Sequence, residues 1–376
     1  MRRTALVAFL FLWVFNAAAQ QKKQIGFEQL FDHSFSPQAV RNINWMRDGQ
    51  YYTTLHRDEK SVELRKYDIT DGSYEVLLKQ SQLVPAGQDS PIAIYDYQFS
   101  ADEQQLLIET DVEQIWRRST KANYYVYKLS SGQLQKLTDT PGKQQYAQFS
   151  PAGDRVAFVR DNNLFYVDLN TGEEIRITDD GAFNKIINGA SDWVYEEEFS
   201  FAKAWFWSPD GNRIAFYRFD ESRVKQYQFP EYGGQYPDQV VYKYPKAGEE
   251  NSIVKIGVYD ISSGKTHWMD IGQEKDQYIV RVNWTNDPDQ LAIRRMNRLQ
   301  NKQDLMLADA ASGESTVIKT ETSNTWIDEN DDLTFLDNGK QFIYVSEEDG
   351  YNHIYLYNID GSLVRQVTRG DWEVTQ

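Results

Sequence analysis

Apolar and polar positions alternate along most of the chain after residue 40, in short runs that are typical of β-strands. An apolar run such as RVAFVR, RIAFYR or QFIYVS follows a turn, and a second run such as NLFYVDL, IGVYDI or HIYLYNI comes soon after it. Turns such as NTGEE, SSGKT and SSGQL then lead into a closing strand. The pattern predicts repeated units of about four short strands each.

Each unit opens with an aromatic residue that is followed closely by a turn. The anchors are Trp45, Phe99, Phe149, Trp207, Trp284 and Phe335. Successive anchors lie 50 to 77 positions apart, and such a period with about four strands per unit is typical of β-propeller blades. Because each blade has apolar faces that only its neighbours can cover, the units must stack side by side. The sequence therefore predicts an all-β fold, with a β-propeller of four-stranded blades over residues 41–376.

Two of the units carry extra length. The first insertion reads GAFNKIINGASDWVYEEEFSFAKA, and the second reads ESRVKQYQFPEYGGQYPDQVVYKYPKAGEENS. Long additions to a repeat scaffold collect on one face and often carry function. The second insertion, rich in Tyr, Pro and Gly, is predicted to form an extended arm rather than a helix. A plain surface excursion and a subunit contact are equally compatible with such an arm.

Composition excludes several classes of function. The net charge of −16 argues against binding to nucleic acid or, through a basic patch, to anionic membranes. The chain has no cysteine, which excludes disulfides, thiolate metal sites and a cysteine nucleophile. Its 4 histidines are scattered without metal-ligand spacing. We therefore expect no metal and no other cofactor.

The first residues have the pattern of a secretory signal peptide. Arg2 and Arg3 precede the apolar run ALVAFLFLWVF, and NAAAQ then supplies small residues for cleavage after Ala19. The apolar run is shorter than the roughly 20 residues that a membrane-spanning helix needs. Residues 1–19 are therefore predicted to be a cleaved signal peptide. Export without cysteines favours a bacterial periplasm or cell surface as the location.

The stretch DWVYEEEFS in the first insertion places three consecutive carboxylates, Glu196, Glu197 and Glu198, between aromatic residues. An acidic triplet is ordinarily a solvated turn of a helix. Here the aromatic flanks predict that the segment is anchored and that some of its carboxylates are partly desolvated. Adjacent fixed carboxylates stay ionised only if a cation or several hydrogen-bond donors compensate them. The motif therefore indicates a site for a substrate ammonium, a neighbouring arginine, or both.

Several stretches together resemble the dipeptidyl peptidase IV-like branch of the prolyl oligopeptidase serine peptidases. In chain order they are IWRRSTKANYYVYKL, NGASDWVYEEEFS, AWFWSPDGNRIAFYRFDES, VYKYPKAGEENSIVKIGVYDI and SEEDGYNHIYLY. The matching stretches run in the order of the family over nearly the whole chain after the signal peptide. The acidic motif followed by YPKAGEEN is far more specific than a generic propeller pattern.

The resemblance implies roles for three residues. In the family, the second and third acids of the triplet bind the free N-terminal ammonium of the substrate, which corresponds to Glu197 and Glu198. The arginine after the tryptophan of the WR motif binds the carbonyl of the penultimate substrate residue, which corresponds to Arg117. An arginine beside the two glutamates would also offset their charge when no ligand is bound. Arg118 is interpreted as an ordinary basic residue of a surface turn.

The resemblance also implies a dipeptidyl peptidase that releases Xaa-Pro or Xaa-Ala from peptide N-termini and is a homodimer at full length. Family members carry eight blades and a C-terminal α/β-hydrolase domain with the catalytic triad. The present sequence contains about six units and no G-x-S-x-G nucleophile motif. We therefore expect a fragment without catalytic residues, inactive alone, whose residues 20–40 would pack on the hydrolase domain. The alternative is a non-catalytic periplasmic propeller that binds peptides or proteins.

Overall fold

The computed structural model describes residues 25–32, 35–37, 43–58 and 61–375. The predicted signal peptide, residues 1–19, lies outside the described residues, as does much of the predicted segment 20–40. The described part of that segment contains one 3₁₀ turn, Glu28–Leu30. Within the described residues, no helix has both the length and the apolar character that crossing a membrane requires.

Six antiparallel sheets, numbered here as blades 1 to 6, follow one another along the described chain. Blades 1 to 3 consist of β1 (Asn44–Trp45), β2 (Tyr51–Arg57), β3 (Val62–Asp68) and β4 (Tyr74–Lys79); β5 (Asp96–Phe99), β6 (Gln105–Gln114), β7 (Thr120–Lys128) and β8 (Gln133–Lys136); and β9 (Gln145–Phe149), β10 (Arg155–Arg160), β11 (Asn163–Asp168) and β12 (Glu174–Arg176). A short 3₁₀ turn, Gln80–Gln82, follows blade 1.

Blade 4 is larger than the others. It contains β13 (Ile186–Asn188), β14 (Trp205–Trp207), β15 (Arg213–Asp220), β18 (Ile253–Asp260) and β19 (Lys265–Trp268), with helix α1 (Trp193–Glu198) between β13 and β14. A separate hairpin, β16 (Gln226–Glu231) and β17 (Asp238–Lys243), projects between β15 and β18. This hairpin is called the arm below, and it confirms the predicted extended conformation of the second insertion.

Blades 5 and 6 return to the regular pattern. They consist of β20 (Gln277–Trp284), β21 (Gln290–Asn297), β22 (Lys302–Asp309) and β23 (Ser315–Thr322), then β24 (Thr334–Phe335), β25 (Gln341–Ser346), β26 (His353–Asn358) and β27 (Leu363–Gln366). The predicted all-β propeller with about six four-stranded blades is thereby confirmed.

The predicted aromatic anchors mark the same place in every blade. Each is the last residue of a strand at the start of its blade: β1, β5, β9, β14, β20 or β24. After Trp207, the hydroxyl of Ser208 donates to Asp210 at 2.6 Å, and Gly211 adopts φ +71°. A glycine is favoured there because residues with a side chain rarely adopt positive φ. Local turn chemistry therefore fixes where each blade begins.

Apolar side chains fill the spaces between successive blades. Five clusters of buried residues join blade 1 to 2, 2 to 3, 3 to 4, 4 to 5 and 5 to 6. Leu64 and Leu106, for example, belong to the cluster between blades 1 and 2, and Leu305 and Phe342 belong to the cluster between blades 5 and 6. None of these clusters of described residues joins blade 6 to blade 1. The blades are therefore held together by their faces, in chain order.

Candidate functional site

The first insertion leaves and re-enters blade 4 at one point of a single strand. β13 and β14 both pair with β15, on either side of Tyr217. The carbonyl of Tyr217 accepts from the backbone N–H of Gly189, its own N–H donates to Ala204, and Ala204 donates to Gly189 at 3.0 Å. A side chain at Gly189 would be strained by its φ of +77° and would approach Val159 to 2.9 Å. Residues 190–203 therefore form a closed loop whose two ends are fixed.

Helix α1 lies within this loop and is capped by a buried aspartate. Asp192 accepts a hydrogen bond from the backbone N–H of Tyr195 at 2.9 Å, the usual role of an N-cap residue. Its second oxygen accepts from the hydroxyl of Ser252 at 2.6 Å. Burial raises the pKa of Asp192 above its ordinary value. The cap ties the start of α1 to the residue that precedes β18.

Tyr195 joins α1 to blade 5. Its side chain is only 1% exposed, and its hydroxyl accepts a hydrogen bond from the backbone N–H of Ile279 at 2.9 Å. The ring lies against Phe199, Phe219 and Tyr278, with centroid distances of 5.1, 4.9 and 6.1 Å. The aromatic residues that flank the acidic triplet thus fix the orientation of the helix.

The first acid of the triplet, Glu196, faces inward and is 2% exposed. Its Oε1 accepts hydrogen bonds from the backbone N–H groups of Arg118 at 2.7 Å and Ser119 at 3.0 Å. Both donors belong to the loop between β6 and β7. Sequence reasoning assigned Glu196 no separate role, although its position three residues before the buried Phe199 places both on one side of the helix. Glu196 therefore fixes the backbone of the loop that carries the WRR motif.

Arg117 and Glu197 meet across blades 2 and 4. The guanidinium Nε of Arg117 lies 3.4 Å from Oε1 of Glu197, and the two side chains are 70% and 20% exposed. An ion pair this open to solvent contributes little to stability. Arg118, interpreted from sequence as an ordinary surface residue, also crosses to blade 4, because its side chain donates to the hydroxyl of Ser200 at 3.1 Å.

Glu198 takes no part in that ion pair. It is exposed, and none of the described basic residues forms an ion pair with it. It borders a cavity of about 630 Å³, called the Glu198 cavity, which is lined by Trp193, Glu198, Phe199, Tyr244, Tyr278 and Arg298, among others. The structure therefore brings Arg117 to Glu197 and leaves the charge of Glu198 without a fixed partner.

A second cavity, which Trp193 also lines, measures about 670 Å³. It is called the Glu221 cavity, and its walls include Trp116, Tyr146, Trp193, Glu196, Glu221 and Lys243. Glu221 is 6% exposed, and burial, with a further contribution from the charge of Asp192, raises the pKa of Glu221 to about 7. Sequence reasoning did not single out this residue.

The rings of the arm base brace both loops that carry the charged residues. Tyr242 packs against Trp116 at 4.8 Å between centroids, and Tyr244 packs against Trp193 at 4.2 Å. Within the described residues, no group of three or more His, Asp or Glu side chains is arranged to hold a metal ion. The arrangement offers two neighbouring carboxylates, one offset by an arginine and one free, which is suited to an organic cation with hydrogen-bond donors.

Similar proteins carry one family name. Residues 100–376 match the model of the family described as dipeptidyl peptidase IV (DPP IV) N-terminal region. Dipeptidyl peptidase 4 of Trichophyton tonsurans is 33% identical over 347 residues, which cover 88% of this chain and 43% of that protein. The chain thus spans less than half the length of this curated relative.

Solved structures agree with the sequence matches. The crystal structure of Porphyromonas gingivalis dipeptidyl peptidase 4 superposes with a TM-score of 0.86 at 34% identity, covering 94% of this chain and 50% of that one. A putative dipeptidyl aminopeptidase IV from Bacteroides ovatus gives a TM-score of 0.70 at 25% identity, covering 90% and 48%. With its six described blades and its match over residues 100–376, the chain belongs to the dipeptidyl peptidase IV N-terminal region family.

Proposed function

We propose that this chain is the substrate-gating propeller region of a serine-type dipeptidyl peptidase that releases Xaa-Pro or Xaa-Ala from peptide N-termini. Glu197 and Glu198 bind the N-terminal ammonium of the substrate, and Arg117 binds the carbonyl of its penultimate residue. The observation that carries the proposal is the approach of Arg117 to Glu197 at 3.4 Å from a different blade. Two further observations support it: the exposed carboxylate of Glu198, the residue that follows Glu197 in α1, and the hydrogen-bonded base of α1.

The proposed clamp selects the peptide bond that is cleaved by fixing the position of the substrate N-terminus. A protonated N-terminus donates charge-assisted hydrogen bonds to two carboxylates, which are stronger than neutral ones. An acylated N-terminus has neither the charge nor the three donors, so it is rejected. Once the ammonium and the next carbonyl are held, the bond after the second residue lies at a fixed distance from them, which is the positional specificity of a dipeptidyl peptidase.

The catalytic serine, aspartate and histidine are proposed to lie outside residues 1–376, because this sequence contains no G-x-S-x-G motif. In that mechanism the serine attacks the carbonyl of the second residue, the histidine takes and returns the proton, and an oxyanion hole stabilises the tetrahedral intermediate. The 376 residues alone are therefore expected to leave dipeptide substrates intact.

The experiment uses the protein at the length that its gene encodes, with Ala-Pro-p-nitroanilide as substrate. Glu197→Gln and Glu198→Gln each remove one charged acceptor, and we expect kcat/KM to fall at least about a hundredfold, since such losses cost about 3 kcal/mol. Arg117→Ala is expected to raise KM. Glu231→Gln, the same chemical change on the exposed arm, is the matched control. Unchanged turnover in the Glu197 and Glu198 variants would refute the clamp.

We further propose that the protein is exported to the periplasm or cell surface and that the arm forms a homodimer contact. The export proposal rests on the signal-peptide pattern of residues 1–19. The dimer proposal is supported by the arm tip, where Tyr232 and Tyr236 are 79% and 82% exposed. Exposed aromatic residues on a projecting hairpin are typical of a binding surface.

A further inference from the structure

Glu221 is a buried carboxylate that borders the cavity named after it. Its backbone N–H donates to Lys185 and its carbonyl accepts from Val224, which fixes its position at the end of β15. Only 6% of the residue is exposed, yet none of the described residues donates a hydrogen bond to its carboxylate or forms an ion pair with it. A buried carboxylate is strongly destabilised in the ionised form unless a cation or donor compensates it.

The lysines of the Glu221 cavity bind acceptors other than Glu221. Lys143 lies 2.7 Å and Lys121 lies 2.9 Å from carboxylate oxygens of Glu113. Lys243 donates to the backbone carbonyl of Val224 at 2.6 Å. Among the described residues, Lys243 acts on Glu221 only through its charge, which lowers the pKa of Glu221, so the carboxylate has no direct donor and is available to a ligand.

The walls of the cavity include several aromatic rings among charged side chains. Trp116 and Tyr242 pack together at 4.8 Å, and Trp193 and Tyr146 contribute two more rings to the lining. Aromatic faces stabilise cations that approach them, and the effect is larger when water is excluded. The volume of about 670 Å³ exceeds what a single side chain requires. A carboxylate within aromatic walls is suited to a cation that ends an apolar stem.

We propose that the Glu221 cavity binds the cationic side chain of a lysine or arginine in a peptide, with the ammonium or guanidinium at Glu221 and the stem against the aromatic walls. This site differs from the N-terminal clamp, because Glu197 and Glu198 do not line the cavity. The inference goes beyond the proposed function and does not depend on it.

The affinity of this site is expected to depend on pH. Burial and the charges of Asp192 and Asp220 raise the pKa of Glu221 to about 7, whereas Lys243 opposes that rise. A cation binds the ionised carboxylate, so at pH 6 a proton must leave before the ligand enters. The affinity is therefore expected to rise about tenfold between pH 6 and pH 8, following the ionised fraction.

The test measures binding of N-acetyl-arginine amide to the protein at its natural length, by isothermal titration at pH 8. The acetyl group removes the α-ammonium, and N-acetyl-citrulline amide is a neutral ligand of nearly the same shape. We expect binding of the arginine ligand, at least tenfold weaker binding of the citrulline ligand, and at least a tenfold loss in Glu221→Gln. Glu231→Gln, on the exposed arm, should bind as the unmodified protein does.

Three outcomes would overturn the proposal: no binding of the arginine ligand, equal binding of citrulline, or full affinity in Glu221→Gln. Tighter binding of n-butylamine than of N-acetyl-lysine amide would also overturn it, because the ligand would then be a free amine. If Glu221→Gln does not fold, Glu221→Asp keeps the charge on a shorter stem and should still weaken binding. Glu197→Gln should leave this affinity unchanged, so failure of the clamp and failure of this site are distinguishable.

Discussion

Blade 4 carries two insertions, of which one is buried at its centre and the other projects into solvent. The α1 loop, residues 190–203, is hydrogen-bonded at its base and buried through Tyr195 and Glu196. The arm is a hairpin that pairs only with itself, and its tip is exposed at Tyr232 and Tyr236. Both insertions extend the same blade, yet one is built into the body of the molecule and the other projects from it.

The difference lies in how each insertion is supported. Side chains of α1 are hydrogen-bonded to blades 2 and 5, so the backbone that carries the carboxylates after Tyr195 is held in place. The arm is held at its base by the rings of Tyr242 and Tyr244, and its tip has no such support. A clamp requires the first arrangement, whereas an intermolecular contact requires accessible surface.

The largest contrast is expected from truncating one tyrosine in each insertion. Tyr195→Ala removes a ring that is 1% exposed together with its hydrogen bond to Ile279, and should lower the free energy of unfolding by about 3–5 kcal/mol. Tyr232→Ala at the arm tip should change it by less than about 0.5 kcal/mol. Denaturant unfolding monitored by circular dichroism measures both. Equal effects would show that the two insertions are supported alike.

A pH titration tests the junction between the insertions, where the charge of Asp192 raises the pKa of Glu221 and the charge of Lys243 lowers it. Its pKa is raised from 4.5 to about 7, so the folded state binds more protons than the unfolded state between these values. Stability is therefore lost as the pH rises through this window.

Replacing Glu221 should remove the loss of stability at high pH. Glu221→Gln should be about 2–3 kcal/mol more stable than the unmodified protein at pH 8 and equal to it at pH 4. Unfolding midpoints at the two pH values measure the difference, with Glu231→Gln as the control. If the difference in stability between the two proteins did not change with pH, the pKa of Glu221 would have its ordinary value.

A smaller effect is expected where α1 meets blade 2. Glu196→Ala leaves the backbone N–H groups of Arg118 and Ser119 without their acceptor, at a cost of about 2 kcal/mol. Glu196→Gln keeps an acceptor oxygen and should lose less than half of that. Hydrogen exchange at these two amides should accelerate in the Ala variant before the rest of the blade does. Unchanged protection would mean that Glu196 does not hold the loop.

The smallest effect on stability is expected from shortening the arm. Replacing residues 230–239 with a two-residue turn removes no residue of the five buried clusters. The free energy of unfolding should therefore change by less than about 1 kcal/mol. If the tip is a subunit contact, light scattering should show dimers before and monomers after the change. Dimers that persist would assign the arm to the surface excursion instead.

The repeat was predictable from sequence because its signals are local. An aromatic residue, a turn and two apolar runs recur in each unit, and the structure places every anchor at the end of a strand. The extended arm was predictable for the same reason, since its proline and glycine residues disfavour a helix. Such features depend on neighbours along the chain rather than on distant contacts.

The interior of the site was not predictable in this way. Glu196 and Arg118 are separated by 78 positions, and nothing near either residue indicates that they meet. The sharing of β15 by β13 and β14 likewise depends on pairing that three-residue segments cannot reveal. Glu221 follows an apolar strand and reads as a polar strand end, so its burial is visible only once the arm and α1 are in place.

The loop that carries α1 begins and ends at adjacent rungs of one ladder, with Gly189 and Ala204 joined to each other and to Tyr217. The alignment of β13 and β14 on β15 therefore does not depend on the number of residues in the loop. The two ends can therefore stay aligned on β15 when an exposed position such as Glu198 is exchanged, whereas Tyr195 and Glu196 bond the loop to blades 5 and 2 and must be kept.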